Sequence, residues 1–151
     1  MSRHSAGREL GSSSLNKDLC PLPHESILSS LWRFAWRNSF SGSHLLRYCK
    51  KAPSFPMSLS ASFESLSIER FAFASAWKFE KPERLCNLAD ETWWHQIFRY
   101  CPLCLEQGYH SYWHQSQYLD TCPLDGARLE AACHDCGKRL PKYGLYRPLL
   151  D

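Results

Sequence analysis

Five of the eight cysteines in this 151-residue chain fall between positions 101 and 136, in an order that could hold a metal ion. Two are Cys-x-x-Cys pairs, Cys101-Pro102-Leu103-Cys104 and Cys133-His134-Asp135-Cys136, and between them lies Cys122-Pro123-Leu124-Asp125-Gly126. Proline and glycine beside each pair let the backbone turn tightly around an ion. Two short-spaced pairs from separate chain segments supply the tetrahedral thiolate set that zinc takes, and binding helps to fold a segment too small to build its own core. Two ligand sets are open. One uses Cys101, Cys104 and Cys122 with Asp125 as an oxygen donor. The other closes Cys101 and Cys104 with Cys133 and Cys136 and leaves Cys122 aside, and the better donor strength of thiolate favours it. His110, His114 and His134 are spare donors that read as surface or hydrogen-bonding histidines. Cys20, Cys49 and Cys86 stand alone and read as small apolar core residues.

A closed cysteine site leaves no open coordination position for a reaction. The chain also lacks a phosphate-cradling glycine loop and a His-Glu-x-x-His helix, and Asp90-Glu91 reads as charge at a helix end. These features point to a binding protein and not to an enzyme. Net charge is only +3, so the placement of charge matters more than its sum. From Ser26 to Phe63 there is no acidic residue, yet Arg33, Arg37, Arg47, Lys50 and Lys51 fall there. Such a run predicts a basic patch that attracts phosphates, with DNA as the partner. Residues 101–151 carry five Lys/Arg against six Asp/Glu, a balance suited to protein docking, with Tyr109, Tyr112 and Trp113 as candidate anchors. No apolar run is long enough for a membrane span, and Arg3 and Arg8 are not followed by the apolar core of a secretory signal. Cysteine pairs without such a signal fit a reducing, cytoplasmic address.

Residues 1–20 read as a mobile tail running into Cys20-Pro21-Leu22-Pro23. Helical spacing of Ile27, Leu28, Leu31, Phe34 and Ala35 predicts a helix from His24 to Asn38, with Arg33 and Arg37 on an opposite, serine-lined side. Ser39 to Ser43 makes a break and supplies the cap for a short helix, His44 to Lys51. Leu66 to Lys78 and Pro82 to Thr92 read as two further helices joined by Phe79-Glu80-Lys81, short enough for the turn of a helix-turn-helix. Beyond Trp93-Trp94 periodicity fades, and Tyr109 to Tyr118 fits strand or helix equally.

Two stretches resemble one family. The run Leu22-Pro23-His24-Glu25-Ser26-Ile27-Leu28-Ser29-Ser30-Leu31-Trp32-Arg33-Phe34-Ala35 is similar to the opening motif of TniQ proteins. The series Arg99-Tyr100-Cys101-Pro102-Leu103-Cys104-Leu105, Gly108-Tyr109, Trp113, Cys122-Pro123, Gly126, Leu129, Cys133 and Cys136-Gly137 resembles the zinc-ribbon signature of the same family. TniQ proteins are accessory factors of heteromeric transposons, including CRISPR-associated ones. They bind DNA or a guide complex and pass the chosen site to an AAA+ ATPase that recruits the transposase. The resemblance implies a mainly α N-terminal domain with helix-turn-helix character (21–95), a small zinc-ribbon module (96–142) and a C-terminal tail (143–151). It implies a non-catalytic adaptor in target-site selection, with zinc as cofactor. Its partners would be DNA, an AAA+ transposition ATPase, and a CRISPR guide complex or transposase subunits. The chain departs from the family where Asp125 replaces a histidine and where a further cysteine pair downstream of Cys136 is missing. Two other readings stand beside it: a small zinc-dependent helix-turn-helix transcription regulator using residues 66–92, and a zinc-stabilised interaction module with no DNA role.

Overall fold

The computed structural model describes residues 19–49, 60–61, 66–67 and 93–150. Helix α1 spans Ile27–Arg37, and its apolar stripe of Ile27, Leu28, Leu31, Phe34 and Ala35 is buried. It starts three residues later than its periodicity predicts. His24 takes a positive φ of 56°, and Ser26 caps the helix by accepting the Ser29 N–H at 3.0 Å. The far end is a Schellman turn: Ser39 adopts φ 53°, its N–H bonds the Trp36 carbonyl, and the Phe40 N–H bonds the Ala35 carbonyl at 2.8 Å. Phe40 then packs on Phe34 with ring centroids 5.7 Å apart.

Helix α2 (Gly42–Cys49) follows at once. Ser41 caps it, its Oγ accepting the His44 N–H and its carbonyl the Leu45 N–H. Gly42 therefore sits inside the helix and not in a break, and Leu45 and Leu46 turn into the core. Strand β1 (Ser60–Ala61) pairs antiparallel with β2 (Leu145–Tyr146), with Ala61 opposite Leu145. A last turn, α4 (Arg147–Leu150), packs against α1 and α2.

One apolar cluster holds these pieces together. It joins Leu19, Ile27, Leu28, Leu31, Phe34, Leu45 and Leu66 to Phe98, Tyr100, Leu145 and Leu150. Each fully buried Leu, Ile or Phe contributes about 1.5–3 kcal/mol. Residues 143–150 are accordingly no tail, because Leu145 and Leu150 are core residues and the Leu149 carbonyl accepts the Trp32 indole N–H. A division after residue 95 is likewise not a break in packing, since Phe98 and Tyr100 lie in the same cluster as α1. The pair of helices expected over 66–92 lies outside the described residues except for Leu66, which is buried, and Ser67.

Candidate metal centre

Cys101 and Cys104 are brought together by a single helical turn. Cys101 caps α3 (Pro102–Glu106), Pro102 fills a first-turn position where no N–H is needed, and the Leu105 N–H returns to the Cys101 carbonyl at 3.0 Å. Gly108, at φ 67°, then reverses the chain so that the Tyr109 N–H reaches the Cys104 carbonyl. The other half of the site is a tight hairpin. Thr121 bridges Arg128, the Cys122 N–H bonds the Ala127 carbonyl at 2.7 Å, and the Gly126 N–H bonds the Cys122 carbonyl at 2.9 Å, with Gly126 at φ 76°.

These turns converge on four donors. One donor atom from each of Cys101, Cys104, Cys122 and Asp125 lies within 4.8 Å of every other, so the group could hold a metal ion. Asp125 Oδ2 is 3.1 Å from Cys101 Sγ and 3.3 Å from Cys104 Sγ, and the Cys104 and Cys122 sulfurs are 3.7 Å apart. A tetrahedron with ~2.3 Å metal–sulfur bonds has sulfur–sulfur edges of about 3.8 Å, so the donors fit such an ion. The three sulfurs are buried and Asp125 is exposed, placing the carboxylate at the rim.

Burial and the neighbouring donors shift the proton affinities here. Burial, then the Asp125 carboxylate, pushes the Cys104 thiol well above its ordinary pKa, and burial also raises that of Cys101. For Asp125, burial works upward but is outweighed by hydrogen bonds from the Ala127 N–H and the three thiols, which hold its carboxyl below the usual range. A divalent cation inverts this balance and makes the thiolates the stable form.

The alternative closure of Cys101 and Cys104 by Cys133 and Cys136 is not formed, because that pair is held on its own hairpin. Ala132 bridges Arg139, the Cys133 N–H bonds the Lys138 carbonyl at 2.8 Å, the Gly137 N–H bonds the Cys133 carbonyl at 2.9 Å, and Gly137 has φ 67°. This repeats the preceding hairpin bond for bond. The signal is present in the sequence, where Thr121-Cys122-Pro123-Leu124-Asp125-Gly126-Ala127-Arg128-Leu129 and Ala132-Cys133-His134-Asp135-Cys136-Gly137-Lys138-Arg139-Leu140 share Cys, Gly, Arg and Leu at matching places. Asp125 occupies the position that Cys136 holds in the second copy. Backbone N–H groups of Cys136 and Asp135, and the Cys136 side chain, lower the pKa of the Cys133 thiol. Among the described residues, no third donor joins that pair to make a group of the same kind.

Behind the donors lies a buried polar network that sequence reading missed. Glu25 is fully buried, and its carboxylate accepts the Leu22 N–H at 2.8 Å, the Ser29 hydroxyl at 2.9 Å and Arg33 Nη1 at 2.7 Å. The Ser26 hydroxyl donates to His110 Nδ1 at 2.8 Å, and His110 Nε2–H donates to the Arg99 carbonyl at 2.8 Å. The His110 N–H reaches Ser29 Oγ, and the Ser26 N–H reaches the His110 carbonyl. Arg99, itself buried, donates to the Ser116 and Leu119 carbonyls on the stretch leading to Cys122. Burial, then His114, lowers the pKa of His110 to about 3, so it is a neutral hydrogen-bonding residue. His134 is exposed.

The predicted basic patch changes shape accordingly. The serine-lined side of α1 is buried and not solvated, and Arg33 is paired with Glu25 instead of standing uncompensated. Arg37 and Arg47 are exposed, while Lys50 and Lys51 lie outside the described residues. Cys20 is exposed, not a core residue, because it precedes Pro21 on an irregular surface segment, its carbonyl facing Arg33. The side chains of Cys49 and Cys86 are not among those described. Between Ser111 and Ser116 the ambiguous stretch is a 3-10 turn, Tyr112–Gln115. Tyr109 bonds the Pro23 carbonyl and Tyr112 bonds His24, so both help to fasten the two segments. Trp113 (40% exposed) lies near Trp94, and Trp93 (59%) and Tyr118 (68%) stack edge-on against each other.

Among the described residues, no helix is long and apolar enough to cross a membrane. Compared with known proteins, the chain matches no family model and no curated protein.

Proposed function

We propose that the chain is a zinc-binding, DNA-binding adaptor for transposition target-site selection, linking target DNA or a guide complex to an AAA+ ATPase without a catalytic step of its own. The observation that carries this reading is the interlock of the two stretches that resemble TniQ proteins. Glu25, Ser26 and Ser29 of the first are hydrogen-bonded into the second through His110 and the Ser111 region. Residues of a shared motif that fasten one segment to the other account for why both stretches occur together. Zinc is the metal assigned because three thiolates and one carboxylate form a closed, borderline-soft set. Bound there, it would be held by Cys101, Cys104, Cys122 and Asp125 and would serve to fix the fold.

Two surfaces would do the binding. Exposed Arg37 and Arg47 would meet phosphates, and the exposed rings of Trp93, Trp113 and Tyr118 would dock protein. The test is capture of an AAA+ transposition ATPase by the purified chain, compared with a Trp93→Ala/Trp113→Ala/Tyr118→Ala variant, together with DNA binding measured across a salt series. The adaptor reading expects ATPase capture that the triple variant loses, and DNA affinity that falls steeply with salt. Promoter occupancy without ATPase capture would favour the regulator instead. A chain that binds protein but shows no salt-sensitive DNA affinity would be the docking module alone.

A further inference from the structure

His114 is fully buried, and its Nε2 lies 3.4 Å from Cys122 Sγ. It stands outside the four mutually close donors. Its other nitrogen is committed. The 3-10 turn Tyr112–Gln115 has a capping box in which the Ser111 hydroxyl accepts the Trp113 N–H at 3.3 Å, while the Ser111 N–H points to His114 Nδ1 at 3.4 Å. A capping box commonly uses Glu or Gln at this position; histidine here leaves a second nitrogen free for another task. With Nδ1 accepting from the backbone, the ring hydrogen belongs on Nε2, directed at the Cys122 sulfur.

Three thiolates and a carboxylate around a divalent cation leave two net negative charges, most of them on buried sulfur. Buried charge is tolerated only where hydrogen-bond donors meet it. Resting on the metal-binding reading above, we propose that His114 is a positioning residue of the metal centre, donating its Nε2–H to the metal-bound sulfur of Cys122 without coordinating the ion. The same ring stands edge-on to His110 at 5.0 Å, so the ligand is braced against the residue that anchors α1.

The test uses the full chain loaded with zinc, cobalt or cadmium. Nitrogen-15 NMR of the cadmium-loaded parent should show His114 with the hydrogen on Nε2. Zinc competition should show a ~10–100-fold affinity loss for His114→Phe and a smaller loss for His114→Gln, which keeps an N–H donor, at unchanged stoichiometry. In the cobalt form, His114→Phe should move the sulfur-to-metal charge-transfer band to lower energy, a shift that packing alone would not cause. A metal-bound, hydrogen-free Nε2 overturns the proposal, and so does a His114→Phe variant with parental affinity and spectrum. Should that variant not fold, the tautomer in the parent chain decides alone. Parent protein that takes up no metal overturns the metal reading and this inference together; normal uptake that is indifferent to His114 overturns only the latter.

Discussion

Asp125 is the residue on which the candidate metal centre turns. A carboxylate at the exposed rim is the weakest of the four donors, and the neighbouring hairpin carries Cys136 at the same place in the same turn. Asp125→Cys should therefore tighten zinc binding by tenfold or more with the hairpin intact, and Asp125→Ala should weaken it; competition against a chromogenic chelator measures both. Metal uptake must also displace protons from Cys101 and Cys104, whose thiols burial holds in the protonated form. Affinity for zinc should consequently fall as pH is lowered, and titration in two buffers of different ionisation enthalpy will count the protons released. The donor types were legible from spacing alone, because Cys-x-x-Cys pairs announce themselves. Which donors lie together was not, since thiolate strength favoured a set other than the Cys101, Cys104, Cys122 and Asp125 group that the fold brings together. The matching nine-residue stretches around Cys122 and Cys133 held the answer, by marking Cys133 and Cys136 as a second copy of the turn instead of the other half of the first.

Helix α1 shows how a residue's neighbours change the meaning of its type. Arg33 looked like a phosphate contact because its acidic partner, Glu25, sits just before the acid-free run. Removing Arg33 would take a charged donor from a buried carboxylate that keeps its Leu22 and Ser29 hydrogen bonds, so Arg33→Ala should destabilise the protein by about 3 kcal/mol, read from a denaturant midpoint. Arg37→Ala, at an exposed position, should change stability by less than ~0.5 kcal/mol, and any effect it has on DNA affinity can be read without that confusion. The helix's closing turn offers a complementary test. Ser39 occupies the left-handed position that glycine adopts without steric cost, so Ser39→Gly should stabilise by about 0.5–1 kcal/mol in the same experiment. The apolar stripe of α1 could be read from its 3.6-residue period. The burial of Ser26, Ser29 and Glu25 could not, because their partners, His110 and the Ser111 turn, lie far along the chain.

The molecule as a whole is stapled between its early and late segments, and its response to acid should reflect that. His110 is buried as the neutral ring with its pKa lowered to about 3 from an ordinary 6.5. The unfolded chain therefore takes up a proton that the folded chain refuses. His110's contribution is complete above pH 6.5 and is lost between there and pH 3, at up to about 1.4 kcal/mol per pH unit. Denaturation followed from pH 7 to pH 4 should show this slope, and His110→Gln should flatten it. The staple also sets a clock. Ser26 and its partner His110 are separated by 84 positions. At about 5–20 residues per second, a ribosome leaves α1 waiting some 4–17 s for the histidine that completes its cap. During synthesis the carboxylate and serines of the first helix must stay solvated, and native closure comes only once the half that carries His110 and the cysteine turns has been translated.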